Sequence, residues 1–205
     1  MTIQALVGLG KNVKVVGTRS VAASFTNDLT FTYPTDNQSG DLLIAHVVCE
    51  NKIVPTISNG WSTIFSNTTT NVNGTGSGRL LAYKRSGNET SANVFVSGGG
   101  TCNMISLRGY LGTIENVTEF VANNELGNTD FTQSISSQQA LVVFANQDGG
   151  GNNAIITIAN TSTYINTEPG YFRSMAIGYS LGVGTDPISV NTSSDSVYGV
   201  YLTVF

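Results

Sequence analysis

The stretch Ser39–Lys52, "SGDLLIAHVVCENK", decides the fold class. A turn-forming Ser-Gly-Asp leads into the apolar run Leu42–Cys49, which only His46 interrupts. A continuous apolar run bounded by turn residues is typical of a strand that is buried on both faces in the middle of a sheet. Side chains alternate between faces along a strand, so His46 and Cys49, three positions apart, point in opposite directions. The run therefore predicts a central strand rather than a reactive His–Cys pair.

The rest of the chain continues in the same style. Period-2 or continuous apolar segments are separated by Gly- and Asn-rich turns, as in a sandwich or barrel. Strands are expected at Ile3–Leu9, Val13–Val16, Val21–Thr26, Leu29–Tyr33, Asp41–Cys49, Ser62–Ser66, Arg79–Arg85, Ala92–Val96, Cys102–Tyr110, Ile114–Val121, Asp130–Ile135, Ala140–Asn146, Ala154–Ile158, Phe172–Leu181, Ile188–Thr192 and Ser196–Phe205. No segment has the periodicity of a three-turn helix. The sequence predicts an all-β fold, an antiparallel β-sandwich of jelly-roll-like form.

The two halves of the chain resemble each other weakly. "GDLLIAHVV" from Gly40 matches "QALVVFANQ" from Gln139, and "TISNGWSTI" from Thr56 matches "TIANTSTYI" from Thr157. Further pairs begin at Arg79 and Arg173 and at Asn103 and Tyr198, in the same order. Such a pseudo-repeat fits two stacked small domains or one sandwich with related halves. Since no Pro- or Ser-rich linker separates the halves, we expect an N-terminal segment over 1–19 and one domain over 20–205, with half-repeats at about 20–112 and 113–205.

Composition and charge exclude several classes of protein. Only 11% of the 205 residues are charged, against roughly 25% in an ordinary soluble domain. The basic residues are scattered singly, so we expect no nucleic-acid partner. No apolar stretch approaches the roughly 20 residues that cross a bilayer, so we expect no membrane partner. The chain begins with Met and lacks the basic n-region of an export signal. A surface rich in hydroxyls and amides on a protein made in the cytoplasm favours a virion protein, exposed after lysis, over a leaderless cytoplasmic one.

The sequence favours no catalytic, cofactor or metal site. His46 is the only imidazole, and a position inside a strand suits a structural histidine better than a general base. Glu115 and Glu119 are the only acids close along one segment, and their spacing of four predicts one face of a strand. A glycosidase needs such a pair at a defined separation. The shortage of sugar-stacking aromatics makes that activity the less favoured interpretation.

The cysteines and the single tryptophan also have structural interpretations. Cys49 and Cys102 both lie on expected strands, where a free thiol behaves as a small apolar side chain. We expect two free thiols, although a bridge would form if the strands were suitable neighbours. Trp61 follows the Asn59–Gly60 turn. Anchoring the core is favoured over stacking on a sugar.

Two Gly-rich loops are the best places for ligand contacts. "NVNGTGSG" (71–78) and "QDGGGNN" (147–153) lack the spacing of phosphate-binding loops. The second loop could offer oxygens to Ca²⁺, but flexible hairpin tips are the favoured interpretation of both. Amides and one carboxylate are the candidate contact residues: Asn71, Asn73, Asp148, Asn152 and Asn153.

Four motifs carry a resemblance to a known family. They read "SGDLLIAHVV", "VPTISNGWSTI", "LLAYKRSG" and "MISLRGYLG", within Ser39–Gly112. This part of the chain resembles β-sandwich modules of tailed-phage particle proteins and of some bacterial surface proteins, and the second half resembles them less clearly. The resemblance implies a jelly-roll-like or concanavalin-like sandwich used for display, cementing or adhesion. It brings no catalytic residue with it.

These observations lead to one expected function and one alternative. We expect a non-enzymatic structural protein of a tailed-phage virion: a head decoration, fibre or tail component, without a cofactor. Its expected partners are other virion proteins and its own copies in a homo-oligomer, with attachment through the apolar residues Ile3, Leu6, Val7 and Leu9. The alternative is a carbohydrate-binding module of a tail fibre or adhesin that recognises host glycans through aromatics and amides in the loops Asn67–Gly78 and Gly149–Asn153.

Overall fold

The structure, a computed structural model, contains strands joined by turns and short loops, and no helix, in the part of the chain that it describes. It describes residues 14–24, 28–58, 60–70, 76–110, 113–122, 129–132, 139–147, 156–158, 161–168, 173–181, 187–192 and 197–205. None of these residues belongs to a helix that could span a membrane. The strands are β1 (Lys14–Ser24), β2 (Asp28–Thr32), β3 (Leu42–Glu50), β4 (Thr56–Ile57), β5 (Ser62–Thr70), β6 (Gly76–Arg85), β7 (Ser91–Phe95), β8 (Gly99–Arg108), β9 (Ile114–Ala122), β10 (Thr129–Thr132), β11 (Ala140–Gln147), β12 (Ile156–Ile158), β13 (Ser162–Glu168), β14 (Arg173–Leu181), β15 (Pro187–Thr192) and β16 (Val197–Val204). The predicted all-β fold is confirmed.

The strands form four antiparallel sheets. The first large sheet has the order β1-β8-β3-β6-β5, and the first small sheet has the order β2-β7-β4. The second large sheet has the order β9-β16-β11-β14-β13, and the second small sheet has the order β10-β15-β12. Adding eight to each strand number of the first pair of sheets gives the second pair. In the first half the neighbours are β1–β8, β2–β7 and β3–β6, with β5 paired to β6 in the large sheet. The jelly-roll-like form stays a prediction.

The sheets stack in four layers with three apolar cores between them. The first core lies between the first small and first large sheets and includes Phe31, Leu43 and Val94. The central core lies between the two large sheets, where Ile44 and Leu107 pack in one cluster with Phe144 and others. The third core lies between the second large and second small sheets. Each large sheet is therefore covered on both faces, which is why its central strands are apolar at consecutive positions.

The opening run has the predicted position. Strand β3 pairs with β6 on one side and with β8 on the other, and Leu42–Cys49 is buried throughout. Alternate residues of this strand go to different cores: Leu43 and Val47 to the first, Leu42 and Ile44 to the central one. The predicted central strand, buried on both faces, is confirmed.

The predicted strands differ from the structure in two ways: two of them merge into one strand, and two strands of the structure were not predicted. The two segments expected at Val13–Val16 and Val21–Thr26 belong largely to one strand, β1, which continues past a register shift between Val15 and Gly17. Residues 14–19 of the predicted attachment segment are thus part of the first large sheet. Strands β4 and β13 were not expected: β4 has only two residues, and the Ser-, Thr- and Asn-containing sequence of β13 is typical of a loop.

The expected placement of Glu115 and Glu119 on one face is wrong because strand β9 contains a bulge. Between Glu115 and Thr118 the strand has one residue more than its partner β16, and Asn116 adopts a positive φ of 52°. An extra residue reverses the alternation of side chains. As a result Ile114 and Val117, three positions apart, both pack against the central core. Glu119 then turns toward the first large sheet, whereas Glu115 is exposed.

Gly199 tests how tightly the second large sheet is packed. A Cβ at this position would overlap the Phe120 ring and lie 2.5 Å from the carbonyl oxygen of Phe144. A backbone oxygen cannot move aside, so we expect Gly199→Ala to lower the free energy of unfolding by about 1–3 kcal/mol. Urea denaturation measures the loss, with Thr118→Ala on the exposed side of β9 as control. An unchanged midpoint for Gly199→Ala would contradict this packing.

Candidate functional site

The residues predicted to attach or bind lie outside the described part of the chain. These residues are Ile3, Leu6, Val7, Leu9, Asn71, Asn73, Asp148, Asn152 and Asn153. The structure does place the side chains that could take part in catalysis or binding: the imidazole, the thiols and several ion pairs. They lie at the contact between the large sheets, in the first core and at one end of the first large sheet.

His46 lies at the centre of a buried polar network between the two large sheets. Its Nδ1 is 2.9 Å from Oδ1 of Asn146, on β11 of the opposite sheet. Asn103, beside His46 on β8, donates from Nδ2 to the carbonyl oxygens of Ala145 (3.1 Å) and Ala176 (3.2 Å) and to Oδ1 of Asn146 (3.1 Å). His46, Asn103 and Asn146 are all fully buried. The network therefore joins the two halves of the chain by directional bonds across the central core.

The bonds of Asn103 fix the proton on His46. Because three acceptors surround Nδ2 of Asn103, that atom is the amide nitrogen, and its Oδ1 accepts from the hydroxyl of Ser20. The atom of Asn146 that accepts from Asn103 is then its oxygen, while its Nδ2 donates to Oγ1 of Thr101 at 3.0 Å. An oxygen facing Nδ1 of His46 requires the proton on Nδ1. Nδ1 of the imidazole thus donates to Asn146.

Burial holds His46 in the neutral form. Desolvation, with a smaller contribution from the charge of Arg79, lowers its pKa from 6.5 to about 4, although the hydrogen bond to Asn146 acts in the opposite direction. The ring packs against Phe144, with centroids 6.0 Å apart, and against Phe65 at 6.4 Å. A sealed imidazole cannot reach a substrate. The interpretation of His46 as structural is supported by this placement.

A second set of polar side chains also lies between the two large sheets. The guanidinium of Arg79 on β6 is 2.9 Å from Oε1 of Glu119 on β9 and 5.5 Å from the ring centroid of Tyr198 on β16. Asn67 on β5 donates to Oε2 of Glu119 at 2.8 Å. These side chains bridge the two sheets near their edge. The carboxylate of Glu119 is therefore held by an ion pair with Arg79 and a hydrogen bond from Asn67.

Both cysteines are free thiols in the first core. Cys49 and Cys102 are buried, and the Sγ of Cys49 lies 2.9 Å from the carbonyl oxygen of Ile53. Burial raises the pKa of the Cys102 thiol far above its ordinary value, which leaves it a poor nucleophile. Cys49 and His46 point into different cores, as the alternation of the strand predicts. The expectation of two free thiols is confirmed.

Asp41 and Arg108 form a bidentate ion pair at one end of the first large sheet. Nε and Nη2 of Arg108 are each 2.8 Å from a carboxylate oxygen of Asp41, which is only 3% exposed. Asp41 also accepts from the backbone N–H of Gln38 at 2.8 Å. Burial alone would raise the pKa of Asp41, but Arg108 and this N–H outweigh it and hold the pKa below its ordinary value.

The loop before β3 is fastened to the same sheet end. Gly40, at a φ of 91°, donates from its backbone N–H to the carbonyl oxygen of Ser86 at 2.7 Å. The guanidinium of Arg85 donates to the carbonyl oxygens of Gly40 (3.0 Å) and Tyr110 (2.7 Å). The Gly-Asp and Arg-Gly motifs of the sequence thus meet in one structural junction.

A polar groove of about 500 Å³ lies next to this junction. Its lining residues are Lys14, Val15, Val16, Thr35, Asp36, Asn37, Gln38 and Arg108. The polar groups of Asn37 and Arg108 already bond to Ser86, Ser106, Asp41 and the backbone of Asp36. No three His, Cys, Asp or Glu side chains come together as metal ligands within the described ranges. The groove adjoins groups that stabilise the fold rather than groups poised for chemistry.

Trp61 has the predicted anchoring role. It packs against the first core, with its ring centroid 6.5 Å from that of Phe31 and 6.4 Å from that of Tyr33. Gly60 before it has a φ of 90° and forms the turn that directs the indole inward. The Gly-Trp motif therefore also belongs to the fold.

The sequence did not reveal the partners of these groups. Asn146 and Asn103 lie 100 and 57 positions from His46 and look like any other Asn in a chain rich in this residue. Arg79 and Glu119 likewise meet only through the packing of separate sheets. In the sequence, the one indication of such a buried contact is a polar residue inside an otherwise apolar strand, as at Asn103 and Asn146.

Comparisons of the chain with protein-family models, with curated proteins and with solved structures found no match. The resemblance to phage-particle modules stays a prediction.

The buried imidazole predicts a specific pH dependence. An unfolded chain binds a proton at His46 near pH 6.5, whereas the folded chain does so only near pH 4. The contribution of neutral His46 to the free energy of unfolding is therefore fully present above about pH 6.5. It is lost as the pH falls toward 4, by about 3 kcal/mol in total for this one group. Urea unfolding between pH 7 and 4 measures the slope, and His46→Phe is expected to be less stable at pH 7 but to lack this component. Equal slopes in both proteins would contradict a depressed pKa.

The Asp41–Arg108 pair predicts a local loss of stability. Asp41→Asn removes the charge that Arg108 and the N–H of Gln38 bind, so we expect a loss of about 2 kcal/mol at pH 7. Because the pKa of Asp41 is lowered, its contribution is present at neutral pH and disappears as the pH falls below about 4. Asp36→Asn, on the same loop but exposed, is the control. Equal denaturation midpoints for the two variants would show that the pair does not stabilise the fold.

Proposed function

We propose that the chain is a non-enzymatic structural protein of a tailed-phage virion, a head decoration, fibre or tail component. The observation that carries the non-enzymatic part of the proposal is the position of the lone imidazole: His46 is sealed between the two large sheets and bonded to Asn146. The thiols lie in a core, and Glu119 pairs with Arg79. The virion part rests on the composition of the chain and on the resemblance of Ser39–Gly112 to phage-particle modules.

The architecture supports an assembly role. Four stacked layers with three cores make a stiff body, since each large sheet is held on both faces. The low charge, 11% of residues, and the abundance of hydroxyls and amides suit a surface that stays exposed after the host cell lyses. In this proposal the body presents its outer faces and loops, and the N-terminal segment attaches to other virion proteins or to further copies.

The location is tested by electron microscopy of purified particles of the phage that encodes the chain. Immunogold with an antibody against the full chain should label the intact virion. Label on the head supports a decoration or head-fibre role, and label on the tail supports a tail component. Particles without label, in a preparation where the antibody detects the purified protein, would contradict the proposal.

The attachment role predicts the effect of a deletion. The boundary falls before β1, because Lys14–Ser24 pair with β8 across the first large sheet. Removal of residues 1–12 should leave a folded protein with the β-type circular dichroism and thermal midpoint of the full chain. It should no longer join particles, as co-sedimentation with virions lacking the native chain measures. Normal incorporation of this variant would contradict attachment through residues 1–12. A thermal midpoint equal to that of the full chain shows that any loss of incorporation is not caused by unfolding.

A further inference from the structure

The outer face of the first small sheet carries one aromatic side chain among polar ones. Along β2 and β7 exposed and buried residues alternate, and the buried ones enter the first core. The exposed ones form one continuous face away from the large sheets. Its members are Asp28, Thr30, Thr32, Thr56, Ser91, Asn93 and Phe95.

Phe95 is the distinctive member of this face. It lies on the central strand β7, paired with Asp28 of β2 on one side and with Thr56 of β4 on the other. It is 42% exposed although large apolar side chains are normally covered. Its ring is therefore presented in the middle of a rung, with a carboxylate on one side and a hydroxyl on the other.

The next rung is an ordered set of hydrogen-bonding groups. Thr30 donates from Oγ1 to Oδ1 of Asn93 at 2.8 Å, which directs the amide of Asn93. The backbone N–H of Asn93 donates to Oγ of Ser58 at 3.2 Å, and Ser58 donates back from its N–H to the carbonyl oxygen of Asn93 at 2.8 Å. With Oδ1 accepting from Thr30, the Nδ2 group is the donor end of this amide, on an exposed residue two positions from Phe95.

We propose that this face, which we call the Phe95 face, binds a neutral saccharide. A pyranose has one face of C–H groups, which packs on an aromatic ring, and a rim of hydroxyls, which need donors and acceptors beside that ring. Phe95 supplies the ring, Asn93 a donor, and Asp28 and Thr56 lie at the flanks. These groups differ from the Gly-rich loops on which the sequence placed glycan contacts.

The residue types and the small apolar area of the Phe95 face disfavour other occupants. Its one ionisable side chain is the carboxylate of Asp28, and none of its seven residues is basic, which disfavours nucleic acid and sulfated or other anionic glycans. One half-exposed ring falls well short of the few hundred Å² of apolar surface that marks a protein docking patch. The site goes beyond the assembly role and does not depend on where the chain sits on a particle.

The test is a binding measurement on the full chain. An array of neutral oligosaccharides, including hexamers of β-1,4-linked glucose and of β-1,4-linked N-acetylglucosamine, is screened, and hits are titrated by calorimetry. We expect at least one neutral hit and none among sulfated oligosaccharides. Phe95→Ala should weaken binding about tenfold, the loss of one stacking contact, and Phe95→Trp should retain or strengthen it.

A matched control separates this site from a general surface effect. Leu181 is also 42% exposed, but it lies on the second large sheet. Leu181→Ala should bind as the unaltered protein does, and both alanine variants should keep the thermal midpoint and join particles normally. No neutral saccharide bound at millimolar concentration, or equal binding by Phe95→Ala, would overturn the proposal. Self-association that Phe95→Ala abolishes, without saccharide binding, would overturn it in favour of a contact between copies.

Discussion

The burial of both large sheets on both faces is the constraint on which the rest of the structure depends. A sheet with one wet face alternates apolar and polar residues, but a sheet between two layers needs apolar residues at consecutive positions. This requirement explains the runs in β3 and β11, whose alternate residues go to different cores. Any polar side chain on these strands must find its partner inside the protein, because an unpaired buried polar group costs several times what a bond contributes.

The central contact meets most of this requirement with amides, and among the described residues Nε2 of His46 is left without a hydrogen-bond partner. Apolar packing is non-directional, so two flat sheets packed by apolar side chains alone could slide or rotate with little change in buried area. Asn103 bonds to two carbonyl oxygens and one side chain of the opposite sheet, and each bond has a narrow range of geometry. The network thus defines one relative position for the two halves. A single buried Asn fixes the register of coiled coils in the same way.

The sequence was sufficient for those features that local pattern controls. The all-β class, the central position of β3 and the opposite directions of His46 and Cys49 follow from side-chain alternation and were predicted. The bulge at Asn116 was not, because it depends on a positive φ in a strand whose residues look regular. The partner of His46 was also out of reach, since Asn146 meets it only through the packing of separate sheets. Exposed Phe95 carried no signal, because an aromatic in a strand predicts burial.

The residues that carry the family resemblance are, in this structure, the residues that close the fold. Asp41 and Arg108 clamp the sheet end, and Trp61 fills the first core. Such positions are constrained by packing and hydrogen bonding, and a protein that kept them would keep the sandwich whatever it bound. The outer face of the first small sheet has no role in closing the cores, because its exposed residues point away from the large sheets. A residue on such a surface can differ without changing the packing that defines the fold.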